Sequence, residues 1–185
     1  ALEKEQRAAI DEGRLILQAY SGFGGLKCVL NPAGTLSDIS SWAKSELDLF
    51  PLVAELHQVI RDTTVSEKEY KQYFASIKNS VLTAFYTPPE VVQVIADAIE
   101  DSGITINRFL DPSAGSGEFP KAFANNSAEK VCFEKDILTG KIFSHLYTDD
   151  KIKTEGFENI ESRYNNYFDT IASNIPFGEI SVLDA

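Results

Sequence analysis

The spacing of apolar positions changes near residue 80, and the two stretches predict different architectures. In the first, Ala8, Ile10, Leu15, Leu17 and Ala19 recur at a loose helical spacing, which predicts a weakly amphipathic helix over 2–19. That helix stops at Ser21-Gly22-Phe23-Gly24-Gly25, where three glycines permit positive φ and a tight turn. A polar, irregular stretch follows to about Ser45. Pro51 then fits the first turn of a helix running through Leu52, Val53, Leu56, Val59 and Ile60. Ser66-Glu67-Lys68-Glu69 reads as a capping box and opens a helix to about Asn79.

In the second stretch, Thr87-Pro88-Pro89-Glu90 reads as another capping box, with proline at the first helical position. It is followed by Val91, Val92, Val94, Ile95, Ala98 and Ile99 at helical spacing. From there strand patterns over 106–110, 130–133, 151–154 and 168–172 alternate with helix patterns over 118–124 and 137–146. Alternation at this spacing implies βαβ units and a parallel sheet. The expected fold is α/β: a partial sheet of about four strands over 81–185, preceded by an N-terminal helical region over 1–80. A doubly wound sheet usually has more strands, and the chain contains no methionine. The expectation is therefore a piece of a longer polypeptide, with its sheet cut short at the C-terminal side.

Composition narrows this picture. A chain of 185 residues that is 43% hydrophobic can bury one sizeable core. It contains no run of eighteen apolar residues, and its first twenty residues have no signal-peptide core, so no membrane contact and a cytoplasmic setting are expected. The net charge of −11 argues against a strong grip on phosphates by this chain alone, so contacts to a nucleic acid are expected from regions not included in it. Cys28 and Cys132 lie among apolar neighbours and read as buried thiols in a reducing compartment. His57 and His145 read as surface or boundary residues; without a Cys/His cluster nearby, no metal site is expected.

The strongest local signal is Phe109-Leu110-Asp111-Pro112-Ser113-Ala114-Gly115-Ser116-Gly117-Glu118-Phe119, an apolar strand running into a small-residue loop and then a helix. Ligands of open α/β folds bind at that end of the sheet. A phosphate loop would need a Gly-Lys-Ser/Thr ending, which is absent. A dinucleotide site would want a third glycine, where Pro120 stands, and Asp111 would repel a pyrophosphate. A carboxylate at the strand tip suits a ligand with an ammonium or sulfonium group, and S-adenosyl-L-methionine carries both. Glu134 ends the next strand, where an acidic side chain can accept both hydroxyls of a ribose; alone, it could equally be a surface turn.

Asn174-Ile175-Pro176-Phe177, followed by Gly178, ends the fourth strand. It could be mere punctuation between strand and turn, yet its chemistry is specific. An exocyclic aromatic amine is a poor nucleophile because its lone pair is delocalised into the ring. The Asn174 carboxamide oxygen and the Ile175 carbonyl can each accept one of its N–H groups, drawing the nitrogen toward tetrahedral geometry and freeing the lone pair. Phe177 can stack on a base flipped out of a duplex, and Pro176 holds Ile175 extended.

Tyr86-Thr87-Pro88, Asp111-Pro112-Ser113-Ala114-Gly115-Ser116-Gly117, Glu134 and Asn174-Ile175-Pro176-Phe177 occur in this order. The set resembles the N6-adenine DNA methyltransferases, in which a methionine-binding motif precedes the glycine loop. The resemblance covers about 82–178. It implies a Rossmann-like class I methyltransferase sheet, S-adenosyl-L-methionine as cofactor and DNA as partner. The implied cofactor-binding residues are Tyr86, Thr87, Pro88, Asp111, Pro112, Ser113, Gly115, Gly117 and Glu134; the implied catalytic residues are Asn174, Ile175, Pro176 and Phe177. It also implies a contact to the cofactor's adenine within 155–158. Upstream, Tyr20-Ser21-Gly22-Phe23-Gly24-Gly25-Leu26 is similar to a segment of very large methylase–helicase polypeptides of bacterial mobile elements and phages. Helicase or specificity regions of such a polypeptide would be further partners, and the isolated fragment is expected to be inactive.

Ile175 departs from the usual Asn/Asp-Pro-Pro-Phe/Tyr signature of this family. Isoleucine still offers its carbonyl, but conformational restraint is reduced. Two other readings stay open: an enzyme that methylates protein glutamine or RNA amino groups, and a cofactor-binding or interaction module without catalysis.

Overall fold

A computed structural model describes residues 2–5, 7–123 and 128–176. Seven α-helices and four strands are described: α1 (Leu2–Glu5), α2 (Asp11–Gln18), α3 (Phe50–Thr63), α4 (Glu67–Thr83), α5 (Pro89–Asp101), β1 (Arg108–Asp111), α6 (Glu118–Phe123), β2 (Glu129–Phe133), α7 (Ile137–Leu146), β3 (Lys151–Lys153) and β4 (Thr170–Ile171). The chain divides into two compact units, Ala1–Ala9 with Ser21–Ala84, and Ile10–Tyr20 with Phe85–Ala185. No described helix is long and apolar enough to cross a membrane.

The continuous helix expected over 2–19 is broken. Ile10 is extended, with φ −81° and ψ 170°, and the helix restarts at Asp11 and Glu12. Two carboxylates suit the positive end of a helix dipole, and the loose apolar spacing before them gives an unbroken helix little to bury. The pair is the start signal that periodicity overlooks.

In the first unit, α3 and α4 pack with short 3₁₀ turns around Cys28, Val29, Ile39, Trp42, Val53, Ile60, Ile77 and Val81. Ser66 caps α4 by accepting the Glu69 N–H at 3.2 Å. The Glu69 carboxylate reaches back to the Val65 N–H at 2.8 Å, so the reciprocal bond of a capping box lands one residue earlier than expected. Gly22 and Gly25 adopt positive φ. The turn is pinned to the end of α4 by bonds from the Phe23 N–H to the Ser80 hydroxyl, 2.9 Å, and from the Gly25 N–H to the Val81 carbonyl, 3.1 Å. His57 is buried rather than on a boundary. Its Nε2 lies 2.8 Å from the Val29 carbonyl, a partner 28 residues away that lets the ring enter the core.

In the second unit the four strands form an all-parallel sheet in the order β3-β2-β1-β4. Side chains alternate between its faces. Phe109 packs with Val92 and Ala96 of α5 and Phe123 of α6, and Cys132 packs with Phe143 of α7, so the helices gather on one face. On the other face Leu110, Val131 and Phe133 are covered by Tyr164, Ile160, Tyr167 and Phe168. Phe109, Val131, Cys132 and Phe133 are fully buried. Each of the Phe and Val side chains stabilises the fold by about 1.5–3 kcal/mol relative to exposure. The capping box expected at Thr87 does not form: Pro88 precedes α5 with φ −55°, ψ 136° and no side-chain bond. Pro89 explains this, because a residue before proline is disfavoured in the helical region, and Pro88 stays extended.

Candidate functional site

The strand order creates the site. The chain moves outward from β1 to β2 to β3, then returns to place β4 on the other side of β1. The carboxyl ends of β1 and β4 therefore flank a topological switch point, where open α/β sheets bind ligands. Asp111 ends β1, and Asn174 lies three residues beyond β4.

Asp111 is fully buried at the strand tip. Its Oδ1 accepts the Ser113 N–H at 3.0 Å, while Oδ2 has no hydrogen-bond partner. Burial pushes this carboxyl up to about 6, against the Ser173 hydroxyl nearby and the Ser113 N–H, which favour its charged form. A buried carboxylate oxygen without a donor is costly. A cationic ligand would supply the missing charge and donor.

The loop that follows is shaped by what its glycines lack. Gly115 has φ +55°, and a Cβ there would lie 2.9 Å from Tyr86 Cε1; the ring of Tyr86 rests against the bare Cα. Gly117 has φ +92°, and a Cβ there would lie 2.5 Å from the Phe143 ring of α7. Both positions thus demand glycine twice, for the backbone angle and for the neighbour. The Ala114 N–H donates to the Phe133 carbonyl at 2.9 Å and ties the loop to β2.

Glu134 closes the loop from the next strand. Its Oε2 accepts the Gly115 N–H at 2.8 Å and its Oε1 the Asp136 N–H at 2.7 Å. Burial raises it to about 7 against these two hydrogen bonds, with the Asp136 and Asp111 charges adding to the rise. Each carboxylate oxygen accepts more than one bond, so a hydroxyl pair can still be received. Asp136 caps α7 by accepting the Thr139 N–H at 2.8 Å.

Asn174 is exposed, and its Nδ2 donates to the Phe85 carbonyl at 3.3 Å. A carbonyl can pair only with the amide's NH₂ end, so this bond fixes which way the carboxamide faces and turns Oδ1 away as an acceptor. The same bond ties the Asn174 segment to Phe85-Tyr86. Ser173 lies beneath, with its hydroxyl 3.4 Å from the Ser113 carbonyl. Tyr86, Asp111, Ser113, Gly115, Glu134 and Asn174 are thus joined in one constellation by hydrogen bonds and contacts, and Gly117 is tied to the same loop by its N–H bond to the Ala114 carbonyl. Thr87 and Pro112 are half-buried, while Pro88, Ile175 and Pro176 are exposed. Phe177 and Gly178 lie outside the described residues. Within 155–158, Glu158 accepts from Lys135 at 2.7 Å, and the Phe157 ring, 40% exposed, meets Phe133 edge-on.

Three contributors have no motif to announce them: Phe85 acts through its carbonyl, Ser173 through a hydroxyl in a featureless stretch, and Thr139 from inside a helix. Among the described residues no group of three or more His, Cys, Asp or Glu side chains could hold a metal ion.

No protein-family model matches the sequence, and no solved structure matches it. The chain is 26% identical over 98 residues to Defense against restriction protein B of Escherichia phage P1. The aligned stretch is 52% of this chain and 4% of that protein, so the chain spans only a small part of the relative's length.

Proposed function

We propose that the chain is the catalytic part of an S-adenosyl-L-methionine-dependent methyltransferase acting on adenine N6 in DNA, built on a Rossmann-like class I sheet. The observation that carries the reading is the Asn174 amide, tethered through Nδ2 to the Phe85 carbonyl next to Tyr86, whose ring rests against Gly115. The unpartnered Asp111 Oδ2 and the glycine cradle fit the proposed cofactor. The phage relative bears a name for defence against restriction, a setting in which methylated bases would protect DNA.

When bound, the cofactor supplies an electrophilic methyl group on a sulfonium. Asp111 receives the ligand's ammonium group, and Glu134 receives ribose hydroxyls while holding the Gly115 N–H. Tyr86 forms the wall against the loop. Asn174 Oδ1 and the Ile175 carbonyl each accept one N–H of the target amine, which concentrates its lone pair on the nitrogen. The Nδ2 bond to Phe85 keeps Oδ1 from rotating away, so this acceptor is preorganised.

The test is methyl transfer from tritium-labelled cofactor to DNA, RNA and protein, using the longest polypeptide that carries the chain. The expected label is on DNA adenine. Asn174→Ala should lower transfer by about a hundredfold or more, as loss of a preorganised polar group typically does, with cofactor affinity unchanged. Label appearing only in RNA or protein, or undiminished transfer by Asn174→Ala, would refute the proposal.

A further inference from the structure

The segment 10–20 belongs to the sheet unit although it lies far from it in sequence. Its residues meet α7 at both ends. Arg14 donates to the carbonyls of His145 and Leu146 at the helix C-terminus, 3.3 and 2.5 Å away. Tyr20, the last residue of the segment, places its hydroxyl 3.5 Å from the Thr139 hydroxyl in the first turn. Thr139 is buried, so its hydroxyl needs partners. The Tyr86 phenol is a second hydrogen-bonding neighbour of the Thr139 side chain, with Tyr20, Glu134 and Asp136 close by.

We infer that Tyr20 is a positioning residue for the cofactor pocket: through the Thr139 hydroxyl it fixes Tyr86, whose ring is the wall against Gly115. Two hydroxyls converging on Thr139 leave it little freedom, since its single hydrogen can serve only one of them and its oxygen receives the other. With this anchor the ring is held against the loop before a ligand arrives, and preorganised contacts bind more tightly than those that must be ordered. Burial raises the Tyr86 phenol far above its ordinary value, and the Thr139 bond opposes the rise, so the phenol serves as a neutral hydrogen-bonding group.

The inference rests on the cofactor reading, and one calorimetric experiment separates their failures. S-adenosyl-L-methionine is titrated into wild type, Tyr20→Phe, Tyr86→Phe, the double variant, Thr139→Val and Thr139→Ser, with urea midpoints measured alongside. Tyr20→Phe should weaken binding about three- to tenfold, the worth of one hydrogen bond. Added to Tyr86→Phe it should change affinity by less than about twofold, because the coupled partner is already gone. Thr139→Ser, which keeps the hydroxyl, should bind like wild type, whereas Thr139→Val should bind like Tyr20→Phe or more weakly. A purely structural role would shift urea midpoints and leave affinities alone. Wild-type affinity in Tyr20→Phe, or fully additive effects in the double variant, would overturn the inference; a wild-type chain that binds no cofactor would overturn the cofactor reading and the inference with it.

Discussion

Gly115→Ala combines two costs that can be measured apart. The backbone there has φ +55°, and an L side chain in that region costs roughly 1–2 kcal/mol. The new Cβ would also sit 2.9 and 3.1 Å from Tyr86 Cε1 and Cδ1. Carbon atoms prefer at least ~3.5 Å, so the ring must retreat by roughly 0.6 Å. Overpacking of this size costs about 1–3 kcal/mol. The full substitution should therefore destabilise the fold by about 2–5 kcal/mol. In a Tyr86→Ala background only the backbone cost remains, and Gly115→Ala should cost about 1–2 kcal/mol. Urea denaturation of the four proteins in this cycle gives the coupling directly, and the linear dependence on urea shows whether each unfolds as the same unit. Equal costs in the two backgrounds would refute the claim that the ring of Tyr86 rests on the bare Cα of Gly115.

Two other perturbations act on the same unit. Asp111 and Glu134 are raised by burial to about 6 and about 7, above their ordinary values, so the folded state holds protons that the unfolded chain releases. Their contribution to stability is fully present below the ordinary carboxylate range, about pH 4, and is lost as pH rises from there to about 7, which unfolding midpoints at about pH 4 and pH 8 can check. A cationic ligand reverses the preference. With Asp111 at about 6, its ionised fraction rises about fourfold between pH 5.5 and 7.5, and S-adenosyl-L-methionine affinity should rise by a similar factor. Flat affinity over that range would show that Asp111 does not meet the ligand's charge. Arg14→Ala removes the guanidinium from the carbonyls of His145 and Leu146 and should cost about 1–2 kcal/mol, measured by urea unfolding.

The strand–loop–helix from Phe109 to Phe119 was legible in the sequence because it is local: an apolar run, an acidic tip and two glycines in eleven residues. Helix α7 was read with its bounds, Ile137–Leu146, because Asp136 caps it and its apolar positions keep their period. The parallel sheet followed from alternation, although β4 proves only two residues long where five were expected, since Phe168 turns instead into the cover over Leu110 and Val131. Three features were illegible for one shared reason. His57 is buried on a carbonyl 28 residues away, Tyr20 meets Thr139 across 119 residues, and Asn174 meets Phe85 across 89. None of these pairings leaves a trace in spacing or composition. The break between α1 and α2 was visible as Asp11-Glu12, but helical periodicity runs across it. Thr87-Pro88-Pro89-Glu90 has the spacing of a capping box, yet the second proline forbids it.

We propose that the Asp111 carboxylate, at the tip of β1, receives a cationic cofactor. It is tested most directly by titrating S-adenosyl-L-methionine and S-adenosyl-L-homocysteine into the wild-type chain and Asp111→Asn at pH 7.5. Both ligands keep the ammonium group, so both should bind wild type at a single saturable site and lose about tenfold or more in Asp111→Asn, the cost of removing one charged partner. Absence of binding to wild type, or equal affinities in the two proteins, would show that Asp111 receives no such ligand.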